Sequence, residues 1–268
     1  MKHSVLMFVG LALVAGVLLW ASGYLKDPHA IDLSNRLAGP SAEHWLGTDH
    51  LGRDLATRLV WGAAPSLFAV TLVLAGGLGL GVLAGGIIAL GPSAIGNGAK
   101  WLAETALAIP TLVTALVLST VFGAGILTVA GALLVTSWAP YALTIAALFD
   151  HIRGRPYWQA SEALGATLPS AVRRHMVPNA WPPLGALAGA DAGRAVILVA
   201  SLGFIGLSAD TGRPEWGAMI HEYRMFLFTE PRLVFAPILA CTLVCVVLHC
   251  MLDRDRFVSF RPPHFKEY

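Results

Sequence analysis

Apolar residues fall into six runs, roughly 4–25, 66–91, 102–123, 125–148, 184–208 and 232–252, with polar segments between them. Each run is near the ~20 residues a helix needs to cross ~30 Å of hydrocarbon. The pattern predicts an all-α, polytopic membrane protein with six transmembrane helices. The Gly-rich turn around Gly123 and Gly125 alone separates the third run from the fourth. The second run is dense in glycine (Gly76, Gly77, Gly79, Gly81, Gly85, Gly86). In lipid, packing rather than water drives helix association, and small residues let backbones approach closely. The second span is therefore predicted to be a tightly packed interior helix.

Composition agrees with that pattern. Of 268 residues, 56% are hydrophobic and 13% charged, about half the charge of an ordinary soluble domain, and the mean hydropathy is +0.68. With both termini cytoplasmic, the inner segments hold Lys2, Lys100, Arg153, Arg155, Arg173, Arg174, Arg254, Arg256, Arg261 and Lys266. The outer ones hold Lys26, Arg36, Arg53, Arg58, Arg213, Arg224 and Arg232. That bias follows the positive-inside rule, so the net charge of +2 is a topology signal and not a mark of nucleic-acid binding. Residues 1–23 carry Lys2 and a small-residue site at Ala21-Ser22-Gly23, as a cleavable signal does. Their apolar stretch exceeds the usual 7–15 residues of a signal, and the segment is read as an anchor.

Candidate chemistry is sparse. Cys241 and Cys245 stand at i, i+4 in the last run, with Cys250 and His249 beyond. No acid sits in register, and cysteine in an apolar helix behaves as a small hydrophobe, so no metal site is assigned. In the segment 26–65, Thr48 or Asp49 can cap a short outer helix. Asp49–Arg53 and Asp54–Arg58 form i, i+4 pairs with the acid first, and Gly47 and Gly52 allow a tight turn. Asp49, His50 and Asp54 have the composition of a metal or catalytic cluster, but self-satisfied ion pairs explain them better. The outer histidines His29, His44, His50 and His221 are scattered and not at ligand spacing. Asp191 and Arg194 share a helix turn inside the fifth run, where charge is costly and usually meets a partner or an aqueous pathway. The two either neutralise each other near the inner face or line a path for a charged solute.

The inner segment 149–183 carries the most information. Pro156 suits the first turn of a helix that runs to Leu164, with Gly165 as its stop. Pro169 opens a second helix that ends before Pro178, and Pro182 and Pro183 break the chain before span five. Two short helices joined at Gly165 are predicted on the inner membrane face.

Gln159-Ala160-Ser161-Glu162-Ala163-Leu164-Gly165, with Pro178 thirteen residues on, resembles the EAA loop of binding-protein-dependent ABC import permeases. That loop reads Glu-Ala-Ala, three residues, Gly, nine residues, then Ile-x-Leu-Pro. HWLGTDHLGRDLATRL is similar to the GTDxxGRD outer segment of the dipeptide/oligopeptide/nickel subfamily, C-type subunit. ETALAIPTLV (Glu104, Pro110), RRHMVPNAWPPL and SLGFIGLSADTGRPEWGAMIHEYR resemble further parts in the right order, so the resemblance covers almost the whole chain. Gln159, Ser161, His175 and Val177 depart from the pattern's Glu, Ala, Ile and Leu, and the long polar N-terminal extension common in the subfamily is not seen.

The resemblance implies a type I ABC importer permease fold, with an N-terminal anchor and outer segment over 1–65 and the permease domain over 66–268. It implies a bacterial inner-membrane subunit forming half of an alternating-access pathway, with a second homologous permease, two ABC ATPases and an extracytoplasmic solute-binding protein as partners. Gln159, Ala160, Ser161, Glu162, Ala163, Gly165 and Pro178 would dock on the ATPase. The outer loop 209–231, with Trp216, His221, Glu222 and Arg224, would face the binding protein; Trp216 reads equally as an interfacial aromatic anchor. Peptides are the first substrate class, with nickel, cobalt or a metal–metallophore complex as the alternative.

No G-x-x-x-x-G-K-[ST] phosphate loop occurs; Gly98-Ala99-Lys100-Trp101 is the nearest fragment. ATP and magnesium are therefore expected on partner subunits, with no cofactor and no enzymatic activity in this chain. A stand-alone secondary transporter would predict an inverted repeat, which is not seen. An intramembrane hydrolase would need motifs such as G-x-S-x-G or H-E-x-x-H, which do not occur.

Overall fold

The computed structural model describes residues 26–208 and 213–252, the last four by backbone alone. The expected first span, 4–25, lies outside the described residues, as does the side chain of Cys250. Helices in chain order are α1 (Leu55–Leu90), α2 (Ser93–Ala108), α3 (Thr111–Phe122), α4 (Ile126–Ser137), α5 (Ala139–Arg153), α6 (Pro156–Ala163), α7 (Leu168–Ala171), α8 (Val177–Phe204), α9 (Trp216–Tyr223) and α10 (Pro231–Leu252). A π-helical stretch, Val172–Met176, joins α7 to α8. Four continuous helical segments among the described residues are long and apolar enough to cross a membrane, or five if α2 and α3 count as one.

The glycines of α1 divide by face. A Cβ on Gly81 would overlap the Tyr141 side chain, and one on Gly85 would lie 2.7 Å from the Ala142 carbonyl. Gly81 and Gly85 thus let α1 and α5 approach closely, with Gly77 against Ser137 at the end of α4, as the glycine-rich run predicts. Gly79 and Gly86 face open space. Beyond this seam, α1 packs on α4 and α8, and α8 packs on α9 and α10. Apolar side chains such as Val70, Val73, Val129, Leu133, Val196 and Val199 fill the middle.

Three expectations are corrected. The second span starts at Leu55, not 66, because the Asp54 carboxylate caps it by accepting from the Thr57 N–H at 2.7 Å, with Pro65 inside the helix. The helix is therefore uninterrupted where a boundary between 65 and 66 was expected, and no separate short outer helix forms around Asp49. The third span is broken: α2 and α3 meet at 89°. Pro110 disfavours helical backbone at the residue before it, and Ile109 is accordingly extended at φ −79°, ψ 121°. Finally, Pro178, Pro182 and Pro183 do not end a helix. The chain stays helical from Leu168 to Phe204, because the π turn, with Val177 N–H donating to the Val172 carbonyl, re-routes the ladder just before Pro178 removes a donor.

Candidate functional site

Among the described residues, three polar constellations lie along the molecule, one at each end and one between. The first is an elbow. Helix α6 ends in a Schellman turn: the Gly165 N–H donates to the Glu162 carbonyl at 2.9 Å and the Ala166 N–H to the Ser161 carbonyl at 3.1 Å. Gly165 sits at φ +79° with nothing within 4 Å of where a Cβ would be, so backbone handedness, not crowding, selects glycine there. Trp158 is buried with Ile152, Phe149, Ala171 and Met176, and its indole donates to the Glu162 carboxylate at 2.8 Å. That anchor, which the sequence did not single out, holds the inward face of α6 against α5. Gln159, Ala160, Glu162 and Ala163 are exposed, and Leu164 at the tip is 88% exposed. Pro178 is also exposed, beyond the π turn.

The middle constellation is a cavity of about 130 Å³ at the α2–α3 bend, lined by Ile109, Thr111, Thr136, Ser137, Tyr141, Asp191 and Arg194 among others. Asp191 Oδ1 meets Arg194 Nε at 3.2 Å. Asp191 lies fourteen residues along α8 from Val177, about 21 Å at 1.5 Å per residue, so the pair sits midway along α8. The Ser137 hydroxyl is buried without a hydrogen-bond partner, and the buried Tyr141 hydroxyl faces the Asp191 carboxylate. The sequence offered little signal for either: a lone hydroxyl in an apolar run reads as core until a neighbouring charge is known.

The third constellation is a knot. Asp49 is fully buried and accepts from Arg53 Nε at 2.7 Å, Arg58 Nη1 at 3.1 Å and the Tyr223 hydroxyl at 3.0 Å. Glu222 accepts from both arginines, with Arg58 Nη2 at 2.8 Å. Asp49–Arg53 therefore forms as expected, but Asp54–Arg58 does not. Asp54 instead caps α1 and pairs with His44 Nδ1 at 2.9 Å. Gly47 and Gly52 have φ of +76° and +75°, and a Cβ on Gly52 would land on the Asp32 carbonyl. Arg232 donates to the carbonyls of Leu46 and Leu37, both at 3.1 Å, tying the start of α10 to the loop. Burial, followed by the Asp49 charge, pushes the Tyr223 hydroxyl well above its ordinary range, so it stays a donor. Burial alone would lower Arg53, but Glu222 and Asp49 reverse that and raise it. Asp49, His50 and Glu222 come within metal-ligand reach of one another; both carboxylates are held by two guanidiniums, while His50 Nδ1 and Arg58 Nε are buried without a hydrogen-bond partner.

The outer-loop residues separate. Trp216 is 6% exposed, its indole donating to the Leu59 carbonyl of α1 at 2.9 Å, so it packs inside and not at the surface. His221 Nδ1 lies 2.7 Å from the Phe204 carbonyl, and Arg224 is exposed. Glu215 was missed. It is buried and caps α9, accepting from the N–H groups of Gly217 and Ala218 at 2.9 and 2.8 Å and from Ser66 and Ser208 at 3.2 and 2.6 Å. The Pro-Glu-Trp order before α9 could have flagged it.

A bundle of membrane-crossing helices with one protruding, well-braced elbow and one internally tied end is the architecture of a transport permease. Residues 55–254 match the binding-protein-dependent transport system inner membrane component family, and the chain belongs to that family. It is 35% identical over 246 residues to the nickel transport system permease protein NikC of Escherichia coli (strain K12), spanning 92% of this chain and 88% of that one. It is 34% identical over 208 residues to the probable D,D-dipeptide transport system permease protein DdpC of the same strain, 76% and 68% of the two chains. The dipeptide transport system permease protein DppC of Alkalihalophilus pseudofirmus is 31% identical over 272 residues, 94% and 84%. Among solved structures, a chain of the MetNI methionine ABC transporter in an inward facing conformation superposes with a TM-score of 0.61 at 18% identity, covering 74% of this chain and 94% of that one. The shared fold is that of an ABC transporter permease. The protein is a multi-pass inner-membrane permease component of an ABC importer.

Proposed function

We propose that this chain forms half of the translocation pathway for small peptides, beside a second homologous permease, with both termini cytoplasmic. Energy arrives through the elbow. Two ATPase subunits, which hold ATP and magnesium, grip residues 156–178, and their closure swings the helices between inward-open and outward-open states. The observation that carries this reading is the elbow itself: Trp158 braces it from within while Leu164 and its neighbours stand clear of the rest of the chain. An apolar tip on a rigid mount suits a groove in a partner. The knot end, with His221, Arg224 and the exposed Met225 and Phe228, faces the solute-binding protein. Trp216 and Glu222 support that face from behind.

Two of the three relatives above carry peptides by name, which favours peptides. Nickel or a metallophore complex is the second reading, favoured by the 35% identity to NikC and the 26% identity to the metal-staphylopine import system permease protein CntC of Staphylococcus aureus.

The test is affinity purification of the tagged full chain in mild detergent, followed by mass spectrometry and an ATPase assay. A second permease and ATPase subunits are expected, with the ATPases lost on Gly165→Pro. A chain that purified alone and moved solute into liposomes without ATP would overturn the proposal.

A further inference from the structure

Among the described residues, the cavity at the α2–α3 bend is the polar constellation that neither end of the molecule explains. Arg194 is 57% exposed at its side chain, Asp191 is 15% exposed, and both line the same cavity. Arg194 Nε stands 3.2 Å from Asp191 Oδ1, and more than half of the arginine side chain stays open to a second acceptor. Tyr141 is 1% exposed, lines the cavity and turns its hydroxyl toward the Asp191 carboxylate, while the Ser137 hydroxyl is buried without a partner. Buried hydroxyls left in that state are costly. The Ile109–Pro110 bend brings Thr111 to the same space, where its hydroxyl lies 3.4 Å from that of Thr136. A brace between helices would be closed to solvent and fully satisfied. Here the Arg194 side chain stays more than half exposed and the Ser137 hydroxyl has no partner.

We infer that this cavity is a relay site for the charged termini of a zwitterionic peptide, Arg194 taking the carboxylate and Asp191 the ammonium group, with the Tyr141 and Ser137 hydroxyls as further partners. The inference rests on the peptide reading above. One positive and one negative side chain receive a neutral zwitterion partner for partner, leaving no uncompensated charge in a low-dielectric setting. A bare divalent cation would instead meet the Arg194 guanidinium. Because the site grips only termini, side chains stay in the open path, and recognition is independent of peptide sequence.

The test uses the complete importer with its binding protein in proteoliposomes, comparing uptake of the dipeptide Ala-Ala with that of its C-terminal amide. Arg194→Gln is expected to cut Ala-Ala uptake about tenfold, the worth of one charge-assisted hydrogen bond, and to shrink the preference for the free carboxylate. The binding protein is the same throughout, so a changed preference belongs to the membrane-spanning part. An unchanged preference in Arg194→Gln overturns the inference. So does recovery of wild-type uptake and preference in the charge swap Asp191→Arg, Arg194→Asp, which marks a structural brace. Subunit assembly is read for every variant. If Arg194→Gln fails to assemble, the neutral pair Asp191→Asn, Arg194→Gln decides: a retained preference overturns the site and a lost one supports it. A wild-type importer that carries nickel ion and no peptide sinks the peptide reading, and the inference with it.

Discussion

At the knot, charges turn inward: Asp49, Arg53, Arg58, Glu222 and Tyr223 satisfy one another across segments far apart in sequence. At the elbow, a short stretch of chain is braced through one tryptophan, and its polar and apolar groups alike point away from the bundle. The first arrangement resists deformation and leaves little for a partner to take hold of. The second keeps its shape while offering a surface. In a machine driven from one end, stability and access are thus separated along the same helices, and substitutions at the two ends should fail in different ways.

The largest break in that contrast is Asp49→Ala. It leaves two buried guanidiniums short of a counter-charge, and breaking such a pair costs about 3–5 kcal/mol. Thermal unfolding in detergent should show a much lower midpoint. Tyr223→Phe is smaller, about 1.5–3 kcal/mol for one hydrogen bond to a charged group. It also carries a pH signature. Burial and Asp49 raise the folded-state pKa of Tyr223 above the unfolded value of about 10. Its contribution is thus complete below that pH and is lost as pH rises beyond it. A wild-type midpoint that falls above pH 10, less steeply in Tyr223→Phe, checks this. At the elbow, Gly165→Ala places a Cβ in open space at φ +79°, costing about 1–2 kcal/mol of left-handed strain. Fewer ATPase subunits should co-purify although the bundle stays folded. Smallest for stability is Leu164→Ala, within about 0.5 kcal/mol as for other surface changes, while ATPase recovery drops. Equal losses of stability at both ends would erase the comparison.

Much of this was legible from sequence. Hydrophobic run length fixed the class, the Gly165 stop placed the elbow, and the Asp49–Arg53 pair formed as its spacing implied. What was lost depended on partners remote in the chain. Nothing near Arg58 announces Glu222, and nothing near Trp216 announces the Leu59 carbonyl. Proline misled twice in opposite directions. At Pro110 it breaks a span, because Ile109 is driven extended. At Pro178, Pro182 and Pro183 it does not, since in a membrane helix local π adjustment and neighbouring groups re-satisfy the backbone. Local rules name the donor that proline removes; the surrounding structure decides whether that removal ends the helix.

The unbroken path from Leu168 to Phe204 has a mechanical consequence. Thirty-seven residues of helix span about 55 Å, reaching from beside the elbow to the carbonyl that meets His221. A tilt of about ten degrees imposed at the elbow end sweeps the other through roughly 10 Å at that length, and Asp191 and Arg194, about two-thirds of the way along, through roughly 6–7 Å. The helix is a tie rod: its stroke at the far end is set by its length, and the two charged residues ride on it.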